Sequence, residues 1–257
     1  MKTLKIRNNF LLVTLIIGAV IGLTALSGQS HNGSARQEET IKGKDEKKLP
    51  MAVYSASLPA DSTARAQRLA RNGRYNNRNT EPMDQWPATS RESFVYSEWY
   101  LYVPALPTAD SDAIVLGNVV DAKGYLSNDK TGAYSEFTIL VEEIFKDGRR
   151  SLIPRGSVVA EREGANVKLP DGRIIRHRIA NLGTPQVGRR YVLFLKYNEQ
   201  GNDYSILTGY ELRNNLVFPL DEADHFAAYK KLDEEAFFNA VREALVNPPR
   251  APRGNGG

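Results

Sequence analysis

The sequence predicts a mostly β domain: a small antiparallel β-barrel of the OB type, with about seven strands and C-terminal helices. Three observations carry this prediction. Residues 112–148, DAIVLGNVVDAKGYLSNDKTGAYSEFTILVEEIFKDG, read as one long hairpin. Residues 157–218 repeat short apolar or alternating runs between turn residues, and from Asp221 onward the period becomes helical. Spacing alone leaves a β-sandwich as the alternative arrangement.

In the hairpin, 113–120 is apolar almost throughout apart from Gly117 and Asn118, as in a strand covered on both faces. The return run, 134–145, alternates: Phe137, Ile139 and Val141 point one way, Thr138, Leu140 and Glu142 the other. Gly124, Asn128, Asp129 and Gly132 supply turn conformations between them. A linking loop of roughly ten residues exceeds what a hairpin needs, and long ordered loops often carry function.

Further strands are expected at 157–163, at 167–169 and 173–179 around the Pro170-Asp171-Gly172 turn, and at 189–197, 203–212 and 216–218. Asp221 is placed to cap a first helix carrying Phe226, Tyr229 and Leu232. Asp233 caps a second, with Phe237, Val241 and Leu245 on one stripe and Phe238 beside it.

Ahead of the barrel, residues 1–27 join Lys2, Lys5 and Arg7 to an uncharged apolar run, 10–26, and small residues near Ser27. That is the pattern of a signal peptide or an uncleaved N-terminal anchor, and either one places the remainder outside the cytoplasm. Residues 28–88 lack apolar periodicity and are expected to be a mostly disordered linker. Within it one short helix runs from an Asp61 cap to Gly73, and Arg65, Arg68, Arg71, Arg74 and Arg78 read as a solvated basic run. The folded domain is expected over 89–246, with Phe94, Tyr96, Trp99, Tyr100 and Tyr102 packing as an aromatic lead-in. The tail, 247–257, is rich in proline, glycine and arginine and is expected to be disordered.

Composition narrows the chemistry. The chain has no cysteine, which excludes disulfides, a thiol nucleophile and thiolate metal sites. Its net charge is +4, yet residues 110–220 hold 15 basic and 14 acidic side chains. The basic excess therefore sits in the leader and linker, which argues against a nucleic-acid face. Three histidines, His31, His177 and His225, come with no GxSxG string and no helical His pair, so neither a catalytic triad nor a common zinc site is indicated. His177 reads as a partly buried, satisfied strand residue.

Asp121, Asn128 and Asp129 lack the spaced acidic ligands of a calcium loop, and Lys130-Thr131 leads into a strand where a phosphate loop needs a helix. Neither a metal nor a cofactor is expected. Glu161 and Glu163 share one strand face about 7 Å apart, the separation an inverting glycosidase uses. A solvated edge strand accounts for them better.

The strings YLSNDKTGAYSEFTILVEEIFKDG, GRRYVLFLKY and ILTGYELRNNLVFPLD resemble an uncharacterised group of exported bacterial proteins over about residues 90–245. The group has no assigned activity, so the resemblance implies a small β-barrel attached to an exported chain and transfers no catalytic residue. The expectation is a non-enzymatic extracytoplasmic module that binds an envelope polymer or a protein partner. Its membrane contact would come only through the N-terminal segment if uncleaved. The candidate contact surface is the loop Tyr125, Asn128, Asp129, Lys130 and Thr131, with the stripe Arg173, Arg176 and Arg178 second. An envelope-glycan hydrolase and a structural spacer are the competing readings.

Overall fold

The computed structural model describes residues 49–95, 103–148 and 156–249. Residues 49–95 form β1 (Met51–Val53), α1 (Ser62–Gly73) and β2 (Glu92–Val95), with a 3-10 turn at Met83–Gln85. The hairpin strands are β3 (Ala113–Leu126) and β4 (Ala133–Asp147). They are followed by β5 (Ser157–Glu163), β6 (Ala165–Lys168), β7 (Ile174–Ile179), β8 (Arg190–Asn198), β9 (Asp203–Arg213) and β10 (Leu216–Pro219). A 3-10 turn at Asp224–Tyr229 leads to α2 (Glu234–Val246).

The long hairpin cannot stay flat. Register shifts at Ile114/Val115, Leu116/Gly117 and Val119/Asp121 bend it, as bulges do. Its two outer edges are then taken up: β3 pairs with β8 and β4 with β5. A parallel β5–β9 pairing and an antiparallel β8–β9 pairing close the ring β3-β4-β5-β9-β8. The fold is thus the small barrel expected, a closed five-strand barrel with extra strands, and not the sandwich.

Alternation along the strands sorts side chains into two layers. Val115, Phe137, Ile139, Ala160 and Leu193 fill the barrel interior. Ile114, Leu116, Phe194 and Tyr210 face outward into a second core, closed by Val217, Phe226 and, from α2, Phe237 and Val241. The double burial of β3 is the reason its sequence is apolar with so few breaks. Asp233 caps α2 as expected, accepting from the Glu235 and Ala236 amides.

Four expectations are corrected. The strands run on to Leu126 and from Ala133, so the hairpin loop spans only 127–132. Asp221 caps no helix: it is buried, Arg162 Nη2 and Thr208 Oγ1 donate to its Oδ2 at 2.7 and 2.8 Å, and the Gly183 amide donates to its Oδ1 at 3.0 Å. The segment after it is a 3-10 turn. Strand β5 is no solvated edge, since it lies between β4 and β9.

The fourth concerns the linker. Residues 49–88 are not disordered but fold onto the barrel. β1 adds in parallel to β6 and β2 in parallel to β7, giving a second sheet β1-β6-β7-β2. Ala52, Tyr54 and Met83 enter a third core with Val167 and Ile175. These apolar residues arrive singly, each completing a core built elsewhere, so no local periodicity announces them. The expected apolar N-terminal segment and residues 28–48 lie outside the described residues, as do Tyr96, Trp99, Tyr100 and Tyr102 and most of the C-terminal tail. Among the described residues no helix is long and apolar enough to cross a membrane.

Candidate functional site

Because Phe137 and Ile139 point into the barrel, Glu136 points out from β4. By the same alternation Val158 and Ala160 point in and Glu161 points out from β5. Register sets Glu136 directly opposite Glu161, and like charges so placed repel. Asp203, at the start of β9, adds a third carboxylate beside them; Glu161 and Asp203 have fully buried side chains.

Helix α1 covers this acidic face. Asp61 accepts from the Ala64 amide at 2.7 Å and starts the helix where the sequence places it. Arg68, Arg71 and Arg74, three residues apart, fall on one side of the helix and its C-cap. Arg68 holds Glu136 in a two-pronged contact, 2.5 and 2.9 Å, and also donates to the Tyr134 hydroxyl at 2.8 Å. Its guanidinium stacks over the Tyr125 ring at 3.6 Å. Arg71 donates to Glu136 at 3.1 Å and to the Gly201 and Asn202 carbonyls at 2.9 and 3.3 Å. Arg74 reaches Glu161 and Asp203, both at 2.6 Å. Burial opposes the charge on Arg68 and Arg74, but Glu136 and Glu161 outweigh it, and both guanidinium pKa values lie above the ordinary arginine value.

The carboxylates respond in the other sense. Burial, and then the neighbouring Asp203, push Glu161 up to about 7. Burial likewise raises Asp203 against the pull of Arg74 and Arg71. A proton is therefore retained in the Glu161–Asp203 pair close to neutrality. Ser205 Oγ donates to Glu161 at 3.0 Å, while Asp203 Oδ1 is buried and receives no donor from another side chain or backbone amide among the described residues.

Glu136, Glu161 and Asp203 each place an oxygen within 4.8 Å of the others, the spacing of a metal-ligand set. Arg68, Arg71 and Arg74 already meet these oxygens, so the arrangement is that of a guanidinium site.

The predicted loop belongs to the same place. Asn128 Nδ2 donates to the Leu69 carbonyl at 2.9 Å, the Asn77 amide donates to Thr131 Oγ1 at 2.8 Å, and the Met83 amide donates to the Lys130 carbonyl at 3.1 Å. Lys130 lies over the Tyr54 ring at 4.1 Å. Asp129 accepts from the hydroxyls of Ser127 and Thr131; burial opposes its ionisation, but these hydroxyls prevail and its pKa falls below the usual aspartate value.

The loop thus holds α1 and the residues that follow it, up to Met83. Tyr75 stacks on Tyr134 at 4.5 Å, and a Cβ on Gly132 would overlap the Tyr75 carbonyl oxygen. Gly132→Ala is expected to lift this end of α1, costing about 1–3 kcal/mol, with amide exchange accelerated in α1 but not in β8. Uniform protection in both proteins would refute it.

The arginine stripe serves a different contact. Arg173 donates to Asp171 and to the Trp86 and Pro87 carbonyls, and Arg178 to Glu92 at 2.8 Å. The Arg176 amide donates to the Arg91 carbonyl at 3.0 Å. These residues fasten 86–92 to β7. His177 is buried, with Nε2 3.3 Å from Glu163, as expected of a satisfied strand histidine.

Sequence reasoning missed Glu136, Asp203 and the role of Arg68, Arg71 and Arg74. The arginine spacing behind a capped helix was the one legible signal. Comparison with known proteins finds no family model that matches the chain and no matching curated protein.

Proposed function

We propose that the protein is a non-enzymatic β-barrel binding module that acts outside the cytoplasm, carried there by its N-terminal segment, and meets an envelope component or a protein through the outer face of β4 and β5. In OB barrels that face, with the connections between strands one and two and between four and five, takes the ligand. Here those connections are 127–132 and 199–202. One observation carries the reading: the barrel's concentrated buried charge, Glu136, Glu161 and Asp203, lies on this face and is engaged by three arginines of α1. The hydrolase reading draws no comparable support, because Glu161 is engaged by Arg74 and Ser205 while Glu163 lies beside His177.

The test is recovery of bound material from envelope extracts. The full chain with Arg71→Ala and Arg74→Ala, which loosens α1, should retain a component that the same chain carrying Glu136→Gln does not. Equal recovery by both would place the contact elsewhere. Fractionation of the producing cell checks the location, and a cytoplasmic protein would overturn that part.

A further inference from the structure

We propose that the acidic face is a docking site for an arginine-bearing helix of a partner protein, and that α1 is the built-in occupant which such a helix displaces. This rests on the reading of the β4–β5 face as the module's binding surface and adds the chemistry of its ligand.

Three observations support it. The first is complementarity: carboxylates from three different strands meet guanidinium groups repeating every three residues of one helix, with Arg68 gripping Glu136 in the planar, two-pronged manner that lysine cannot reproduce. The second is how little else holds α1. Among its residues only Asn72 is buried and Leu69 is 40 % exposed; the helix meets the barrel through hydrogen bonds, ion pairs and the stacking of Arg68 on Tyr125. Buried ion pairs add little net stability and much selectivity, so α1 is matched to its seat while held weakly by apolar burial. The third is the orphan acceptor. Asp203 is 2 % exposed and, among the described residues, no donor of α1 meets its Oδ1, so this acceptor stays unsatisfied once Glu161 is ionised. A helix offering one more donor there would fit better than the resident one.

Displacement is local. The preceding residues Ser55, Ala56 and Ser57 are exposed, so moving α1 uncovers no core on its N-terminal side. β1 remains paired with β6 if α1 alone leaves.

The experiment uses a fluorescent synthetic peptide with the sequence of residues 61–75 as probe. By fluorescence polarisation it should bind the full chain carrying Arg71→Ala and Arg74→Ala at least tenfold more tightly than wild type, whose face is filled. Adding Glu136→Gln to that chain should weaken binding tenfold or more, and so should a peptide with lysine in place of Arg68, Arg71 and Arg74. Equal binding of the lysine peptide would overturn guanidinium recognition, and no binding to the loosened variant would overturn the site.

If the loosened variant fails to fold, wild type decides. Excess peptide should speed amide exchange in α1 while β8 stays protected, and no change sinks the proposal. A failed peptide with a successful envelope recovery would leave the binding face standing and remove only the arginine-helix ligand. Conversely, peptide binding without any envelope component would leave the site and remove the envelope role.

Discussion

Asp221→Ala is expected to lower the free energy of unfolding by about 3–5 kcal/mol. The carboxylate is buried and receives three donors: Arg162 Nη2, Thr208 Oγ1 and the Gly183 amide. It ties β5, β9 and the turn before β8 together in one place. Removing it strands the Arg162 guanidinium, whose side chain is only 2 % exposed, without an anion. A buried charge that loses its partner costs more than the pair contributed when intact. Packing around it is equally tight, since a Cβ on Gly183 would overlap the Leu220 carbonyl oxygen. Urea unfolding measures the loss. Arg162→Met in the Asp221→Ala background should recover part of it, because the orphaned charge is then gone. A loss below about 1 kcal/mol for Asp221→Ala would show that the pair is not what ties these elements.

The second large effect concerns pH. Glu161 titrates near 7 in the folded chain, against 4.5 for an ordinary glutamate, because of burial and then Asp203. A carboxyl whose folded pKa lies above its unfolded one holds its proton more tightly when folded. Its contribution to stability is complete below about pH 4.5 and is lost as the pH rises through about 7. Asp203 is shifted in the same direction, while Arg74 and Arg71 moderate both.

Glu161→Gln keeps the shape, removes the titration, and brings an amide that can donate toward the unpartnered Asp203 Oδ1. The stability difference, variant minus wild type, should therefore rise between pH 4.5 and 8 by about 2–3 kcal/mol. Thermal melts across that range check it. A flat difference would mean that Glu161 is ionised throughout and fully compensated by Arg74.

These effects lie where the sequence was least informative. The β3–β4 hairpin, the Pro170-Asp171-Gly172 turn, the Asp61 and Asp233 caps and the α2 stripe are legible, because each is announced by local periodicity or by turn and cap residues. Glu161 has the local pattern of edge charge, because nothing nearby in the chain says that β5 will lie between β4 and β9. Asp221 stands at a good capping position, and a buried guanidinium 59 residues away claims it instead. Residues 49–88 looked disordered because their apolar residues enter distant cores one at a time and their arginines meet acids more than sixty residues on.

Sequence alone yields the strand periodicity, the tight turns, the Asp61 and Asp233 caps, a mostly β class and the absence of any cysteine-based chemistry, whereas the choice of closed barrel over sandwich comes with the β5–β9 and β8–β9 pairings. The former follow from local pattern and composition. Only the tertiary structure decided that the hairpin loop and the arginine run belong to one site, and that this site is acidic. Closing the barrel brings Glu136, Glu161 and Asp203 onto one outer face, where their mutual repulsion at low exposure requires cations, and α1 supplies them.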